Sequence, residues 1–144
     1  MLGRFTRGFN YSGPSGTIVH VETGARAGRP AYVDAPVLFS SLPGELEGAD
    51  WVQAANQEAT YHAVDLLQLS VLNGATVFVA HDDAIERPAW LREKFRPTEL
   101  KLRLADRILS IFSRKVIGNE ALTLGANAET PLPTGSLMYV VFVK

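Results

Sequence analysis

Hydrophobic and polar residues alternate over short runs through most of this chain, which is the pattern of strands with one buried face. Residues 62–72 form the first long run of this kind, and Asn73-Gly74 after it favours a tight turn with positive φ. Residues 75–81 then return as a second strand that is apolar on both faces. A strand with two apolar faces is typical of the centre of a sandwich, so this stretch is predicted to be central.

Further short strands are separated by turns rich in glycine and proline. They are predicted at residues 17–22, 32–40, 49–55, 121–124 and 137–143. Pro36 interrupts its stretch, which is therefore an edge strand or two short pieces, whereas 137–143 is apolar on both faces and is predicted to be central. About eight to ten short strands at this spacing predict an all-β fold, an antiparallel β-sandwich of jelly-roll type.

Composition narrows the class of protein further. A chain of 144 residues with 47% hydrophobic and 20% charged residues is an ordinary globular domain. The net charge of −1 argues against nucleic acid or an anionic membrane as a partner. No cysteine is present, which excludes disulfides and thiolate chemistry. No apolar run reaches the ~18 residues of a membrane span, and the N-terminus lacks the apolar core of a signal peptide.

The first residues differ in composition from the rest. Residues 1–16 are rich in Gly, Ser and Arg and predict an N-terminal arm anchored by Phe5, Phe9 and Tyr11, with a disordered tail as the alternative. Residues 17–144 are predicted to form the sandwich domain.

Four phrases of the sequence occur in the order of a known family: AYVDAPVLFSSLPGELEGADWVQAANQ, TVFVAHDDAIERPAWL, ALTLGAN and MYVVFVK. Together they resemble a small β-sandwich module that is appended to secreted bacterial polysaccharide-degrading enzymes, lyases in particular. The resemblance covers residues 31–144. It implies a non-catalytic accessory module, an extracellular location and a polysaccharide ligand.

Two departures from that family change charged positions. Ala35 stands where the family has an arginine after Tyr-x-Asp, and residues 56–59 read Asn-Gln-Glu-Ala in place of Asn-Asp-Asp-Lys. If those charges serve a ligand in the family, the ligand is lost or altered here; if they are structural ion pairs, they are replaced.

Residues 100–116 fit two periods. Leu100, Leu104 and Ile108 recur at helical spacing, and intrinsic propensity favours a helix. The leucines at 100, 102 and 104 also alternate with basic residues, which is strand spacing. Because the remainder of the chain is β and the resemblance agrees, we predict two strands with a turn at residues 105–107. Residues 88–97, bracketed by prolines, predict a one-turn helix or an irregular flap.

His81, Asp82 and Asp83 end the predicted central strand, a common position for functional groups. A histidine beside carboxylates can act as a base or bind metal, and paired aspartates can hold calcium. In the alternative, Asp82 caps the turn through its own backbone and Asp83 is solvated. No spaced metal-binding signature accompanies them, so we predict no metal and no cofactor.

Trp90 is a candidate for stacking on a sugar ring, and the alternative is a plug over the sheet edge held by Pro88. Trp51 is expected in the core. Asn56 and Asn127 follow strand ends, where their amides would contact sugar hydroxyls or stabilise turns through backbone hydrogen bonds.

Catalytic signatures are missing from the sequence: it has no G-x-S-x-G motif, no phosphate-binding loop and no marked carboxylate pair. We therefore predict no enzyme activity and a carbohydrate-binding accessory role. The alternative is a structural subunit that makes homo-oligomeric contacts through its N-terminal arm and sheet surface. The predicted ligand-binding residues are His81, Asp82, Asp83, Trp90, Asn56 and Asn127.

Overall fold

The computed structural model describes residues 2–13, 18–61, 66–130, 132 and 135–144. These residues form a three-stranded and a seven-stranded antiparallel sheet, which confirms the predicted all-β sandwich. The strands are β1 (Thr6–Tyr11), β2 (His20–Glu22), β3 (Phe39–Ser41), β4 (Asp50–Gln53), β5 (Leu67–Val71), β6 (Thr76–Asp82), β7 (Arg96–Leu104), β8 (Arg107–Lys115), β9 (Ala121–Leu124) and β10 (Val140–Val143).

In the described part of the chain, helical structure is limited to short pieces. Helix α1 spans Ala89–Lys94, and 3-10 turns span Gly44–Leu46 and Asn56–Thr60. Pro88 precedes α1 with an extended backbone, and the helix lies within the predicted flap. Within the parts of the chain that the structure describes, no helix has the length and apolar character needed to span a membrane.

The seven-stranded sheet has the order β2-β4-β10-β6-β8-β7-β3. All four residues of β10 are buried, and β6 lies between β10 and β8, so both strands predicted to be central are central. Strands β7 and β8 form a hairpin, which confirms two strands over residues 100–116. Ala105 adopts φ 52° in the connecting turn, a left-handed conformation.

This sheet curls into a half-barrel, because residues near its two edges meet. The ring of Phe39 in β3 lies 5.5 Å from that of Trp51 in β4 and 5.6 Å from that of Phe142 in β10. Residues 23–38 connect the two edge strands, β2 and β3. Within this connection the Ala31 N–H donates to the Val37 carbonyl at 2.9 Å. Residues 32–38, predicted as part of a strand, make only isolated bridges.

The turn at Asn73-Gly74 is confirmed, with φ 86° at Gly74. The two strands that this turn connects lie in different sheets, since β5 pairs with β1 and β9 while β6 belongs to the larger sheet. Both sides of β6 are occupied, by β8 and β10, so β5 has no edge to join. The turn therefore connects two layers of the sandwich.

Residues 6–11 of the predicted arm form β1, an edge strand of the smaller sheet. The buried Asp50 carboxylate holds the start of β1. It accepts hydrogen bonds from the N–H groups of Arg4, Phe5 and Thr6 at 3.0, 2.8 and 3.0 Å. A boundary between arm and domain at residue 16 stays a prediction, because residues 14–17 lie outside the described part, as do residues 62–65 of the predicted strand 62–72.

Candidate functional site

His81, Asp82 and Asp83 do not form one cluster. They end β6, and successive side chains of a strand point to opposite faces. The His81 and Asp82 side chains are buried, whereas the Asp83 side chain is 38% exposed. The sequence therefore places three polar groups next to each other that the fold sends in different directions.

The His81 side chain is fully buried and is held by one hydrogen bond. Its Nε2 lies 2.7 Å from the Asn127 carbonyl oxygen, which can only accept, so Nε2 carries the proton. Nδ1 has no hydrogen-bond partner among the described residues. Burial lowers the pKa of His81, which keeps the ring neutral. A neutral, buried imidazole of this kind is part of the core's hydrogen bonding.

Asp82 caps the turn that follows β6, as the structural alternative predicted. Its Oδ1 accepts from the Ala84 N–H at 3.0 Å. Its Oδ2 accepts from Arg107 Nη1 at 3.2 Å and from the Leu137 N–H at 3.5 Å. The carboxylate thus has a cation and two backbone donors around it.

Asp83 faces outward and has its own set of donors. Its Oδ1 accepts from the Ser110 N–H at 3.1 Å and from Arg87 Nη2 at 3.0 Å, and Lys101 Nζ lies 3.8 Å from Oδ2. Burial alone would raise the pKa of Asp83, but hydrogen bonds from Ser110 and Arg87 and the Lys101 charge outweigh it, so the pKa is lowered. Within the described ranges, no three His, Cys, Asp or Glu residues are placed to hold a metal ion.

Asn127 is fully buried and holds the chain just before β10. Its Nδ2 donates to the Leu137 carbonyl at 2.8 Å, and its Oδ1 accepts from the Tyr139 N–H at 3.1 Å. Met138 lies between these two residues, and its N–H donates to Asn56 Oδ1 at 2.9 Å. We call residues 137–139 the pre-β10 segment.

Trp90 contacts the same segment from the side of α1. Its Nε1 donates to the Ala126 carbonyl at 2.8 Å, and its ring packs edge-on against Tyr139, with centroids 5.2 Å apart. The Phe95 ring lies 6.1 Å away. The Trp90 side chain is half-buried, and its role in stacking on a sugar ring stays a prediction.

Three of the six predicted residues, Asp82, Asn127 and Asn56, therefore bind the backbone of the pre-β10 segment. Trp90 packs on the ring of Tyr139, His81 binds Asn127, and Asp83 lies apart from them. Sequence reasoning missed Tyr32, whose hydroxyl donates to the Met138 carbonyl at 2.5 Å. Burial raises the pKa of Tyr32 and keeps this donor protonated. The two residues lie 106 positions apart, and no local pattern marks the pair.

Comparisons with known proteins relate the chain to part of a glycoside hydrolase. No family model matches. A β-glucuronidase of Formosa agariphila is 28% identical over 138 residues, which are 96% of this chain and 14% of that protein. A solved β-glucuronidase of glycoside hydrolase family 2 superposes with a TM-score of 0.91 at 27% identity. The match covers 97% of this chain and 14% of the solved one.

The chain thus spans about one seventh of the proteins it matches, and nearly all of it is matched. It is similar to a small β-sandwich segment of a carbohydrate-active enzyme. The link to lyases in particular stays a prediction.

Proposed function

We propose that this chain is a non-catalytic accessory domain of a carbohydrate-active enzyme. The observation that carries the proposal is the match of nearly the whole chain, at a TM-score of 0.91, to 14% of a family 2 β-glucuronidase. A segment that small leaves most of such an enzyme for the catalytic machinery.

The predicted site residues support a non-catalytic role. His81 is neutral and hydrogen-bonded inside the sandwich, and Asp82 is paired with Arg107 and backbone donors. General acid–base catalysis needs a group that reaches the proton to be moved. Neither side chain has the exposure for that task.

Binding of a polysaccharide is the finer part of the proposal, with an extracellular parent enzyme as its setting. It rests on the sequence resemblance and on the similarity to a carbohydrate-active enzyme. Of the six residues predicted to bind the ligand, Asp83, Trp90 and Asn56 retain surface that a ligand can reach.

A glycan array with the purified chain tests this proposal, with and without calcium. Binding to at least one polysaccharide is expected, together with no release of nitrophenol from 4-nitrophenyl β-D-glucuronide. Trp90→Ala tests whether the glycan lies against α1, and Phe78→Ala, another half-buried aromatic, is the matched control. Hydrolysis that co-purifies with the chain would overturn the non-catalytic role.

The alternative is a structural subunit with homo-oligomeric contacts through the N-terminal arm and sheet surface. The described part of the arm is engaged within its own chain, through β1 and the Asp50 carboxylate, which favours the accessory-domain proposal. Light scattering during size-exclusion chromatography gives the mass in solution. A stable dimer that binds no glycan would favour the alternative.

A further inference from the structure

The outer face of the three-stranded sheet is covered by small uncharged polar residues. Gln68 and Ser70 of β5 point outward, since every second residue of this strand is exposed. Asn10 and Thr123 flank Gln68 on β1 and β9. Among the described residues, none of these four side chains has a hydrogen-bond partner, so their amides and hydroxyls remain available to a ligand.

A groove of about 440 Å³ lies at one end of this face, within the usual size range of ligand sites. Its lining residues are Arg7, Gly8, Ser70, Val71, Asn119 and Glu120. The register between β1 and β5 shifts between Thr6 and Gly8, so Arg7 is the extra residue of a bulge. A bulge re-aims a side chain locally, and here it places a guanidinium beside the groove.

Gly8 keeps the groove open. A Cβ added at this position would meet no atom within 4 Å, so the space above it is empty rather than packed. The missing side chain lets a ligand approach the backbone of β1 closely.

The charges around the groove favour an anion. Glu120 is ion-paired with Arg114. Arg7 contacts no carboxylate among the described residues, and its Nη1 reaches Asn119 Oδ1 only at 3.4 Å. Among the residues that the structure describes, the Arg7 guanidinium therefore has no counter-charge, and it lies beside hydroxyl and amide groups.

We propose that this groove binds an acidic sugar unit, a uronate, within a polysaccharide. The carboxylate of the sugar pairs with Arg7, its hydroxyls bond to Ser70 and Asn119, and neighbouring units lie along the polar face. A guanidinium suits a carboxylate because it donates two parallel hydrogen bonds. The inference rests on the proposed accessory role for its ligand class, and it adds the position of the site and the charge of the sugar.

A second groove with cations is the matched control. It has about 150 Å³ and is lined by Ser41, Lys101, Leu102, Arg103 and Ile108. Lys101 is engaged there with Ser110, at 2.6 Å, and with Asp83. Arg103 is exposed like Arg7 but lies on the larger sheet, so Arg103→Gln removes the same charge elsewhere.

Isothermal titration calorimetry tests the proposal with tetrasaccharides of glucuronate, galacturonate and mannuronate, each beside the neutral tetrasaccharide of the same linkage. At least one uronate is expected to bind about tenfold more tightly than its neutral counterpart. Arg7→Gln removes that preference, and Gly8→Val abolishes binding of both. Arg103→Gln binds like the unchanged chain. Equal thermal midpoints of the variants show that the fold is kept.

Three results would overturn the inference: no uronate binds, neutral and acidic tetrasaccharides bind equally, or Arg103→Gln loses the preference while Arg7→Gln keeps it. Each of these leaves the accessory role standing, since that role is tested by the nitrophenyl glucuronide assay. Conversely, hydrolysis by the chain would remove the accessory role without affecting a preference that depends on Arg7.

Discussion

Two consecutive stretches near the C-terminus are held in different ways. Strand β10 pairs through its backbone with β4 on one side and β6 on the other. The pre-β10 segment is equally buried, yet side chains bind its backbone: Asp82, Asn127, Asn56 and Tyr32. Both stretches are apolar in sequence, and both were predicted as a single strand over 137–143.

The difference shows how a buried backbone is satisfied where a sheet ends. Buried N–H and C=O groups need partners, because an unpaired one costs about 1–3 kcal/mol. Where β4 and β6 no longer pair with the chain, polar side chains from three connections and from the end of β6 take the place of a neighbouring strand. Polar residues at strand ends therefore have a structural role here, although they resemble a ligand site.

The largest expected effect is in the backbone-paired stretch. Phe142→Ala removes a fully buried ring that packs against Phe39, and it leaves a cavity. We expect the free energy of unfolding to fall by about 4 kcal/mol in urea denaturation. Phe78→Ala, at the half-buried position opposite on β6, should cost less than half as much. Equal losses would contradict the different burial of the two rings.

Asn127→Ala tests the side-chain-held stretch directly. It leaves the Leu137 carbonyl and the Tyr139 N–H without their partners, so we expect a loss of about 3 kcal/mol. Asn10→Ala, at an exposed position, is the control and should change stability by less than about 0.5 kcal/mol. If the two variants are equally stable in urea, the pre-β10 segment does not depend on side-chain hydrogen bonds.

Asp82→Asn should have an intermediate effect. The amide still accepts from Ala84, but its Nδ2 cannot accept from Arg107 or Leu137, and we expect a loss of about 2 kcal/mol. Asp83→Asn, whose ion pairs are partly exposed, should lose under about 1 kcal/mol. Chemical denaturation of both variants ranks them, and the opposite order would argue against a structural role for Asp82.

The smallest effect is expected with pH. Since burial lowers the pKa of His81 below its usual 6.5, the unfolded chain takes up a proton there before the folded chain does. The contribution to stability is complete above pH 6.5 and declines below it, by at most about 1.4 kcal/mol per pH unit. Urea denaturation from pH 7.5 to 5.5 should show a steeper decline for the unchanged chain than for His81→Gln. Parallel curves would mean that folding does not lower the pKa of His81.

Local patterns were sufficient for most strands. Period-two alternation predicted β5, β6 and the hairpin of β7 and β8, and apolar runs predicted that β6 and β10 are central. Alternation reports which residues face a core, and that depends on neighbours along the chain. The prolines that bracket residues 88–97, which are also a local signal, predicted the position of α1.

The candidate site was predictable only as a set of residues, not as a geometry. His81 and Asn127 are 46 positions apart, and Asn56 and Met138 are 82 apart. No sequence spacing encodes such pairs, so an amide that binds backbone and an amide that would bind a sugar look alike before folding. For the same reason, the sequence did not predict that the Tyr32 hydroxyl donates to the Met138 carbonyl.

The sequence by itself determined that the protein is an all-β sandwich, where most of its strands and turns lie, and which strands are buried on both faces. Tertiary structure decided which strands share a sheet, so that the Asn73-Gly74 turn joins two layers. It also decided that the polar residues around β10 replace a missing strand, while Arg7 and Gly8 open a groove on the other sheet. The physical reason is that burial is encoded locally by alternation, whereas hydrogen-bond partners come from distant parts of the chain and exist only once the two sheets pack.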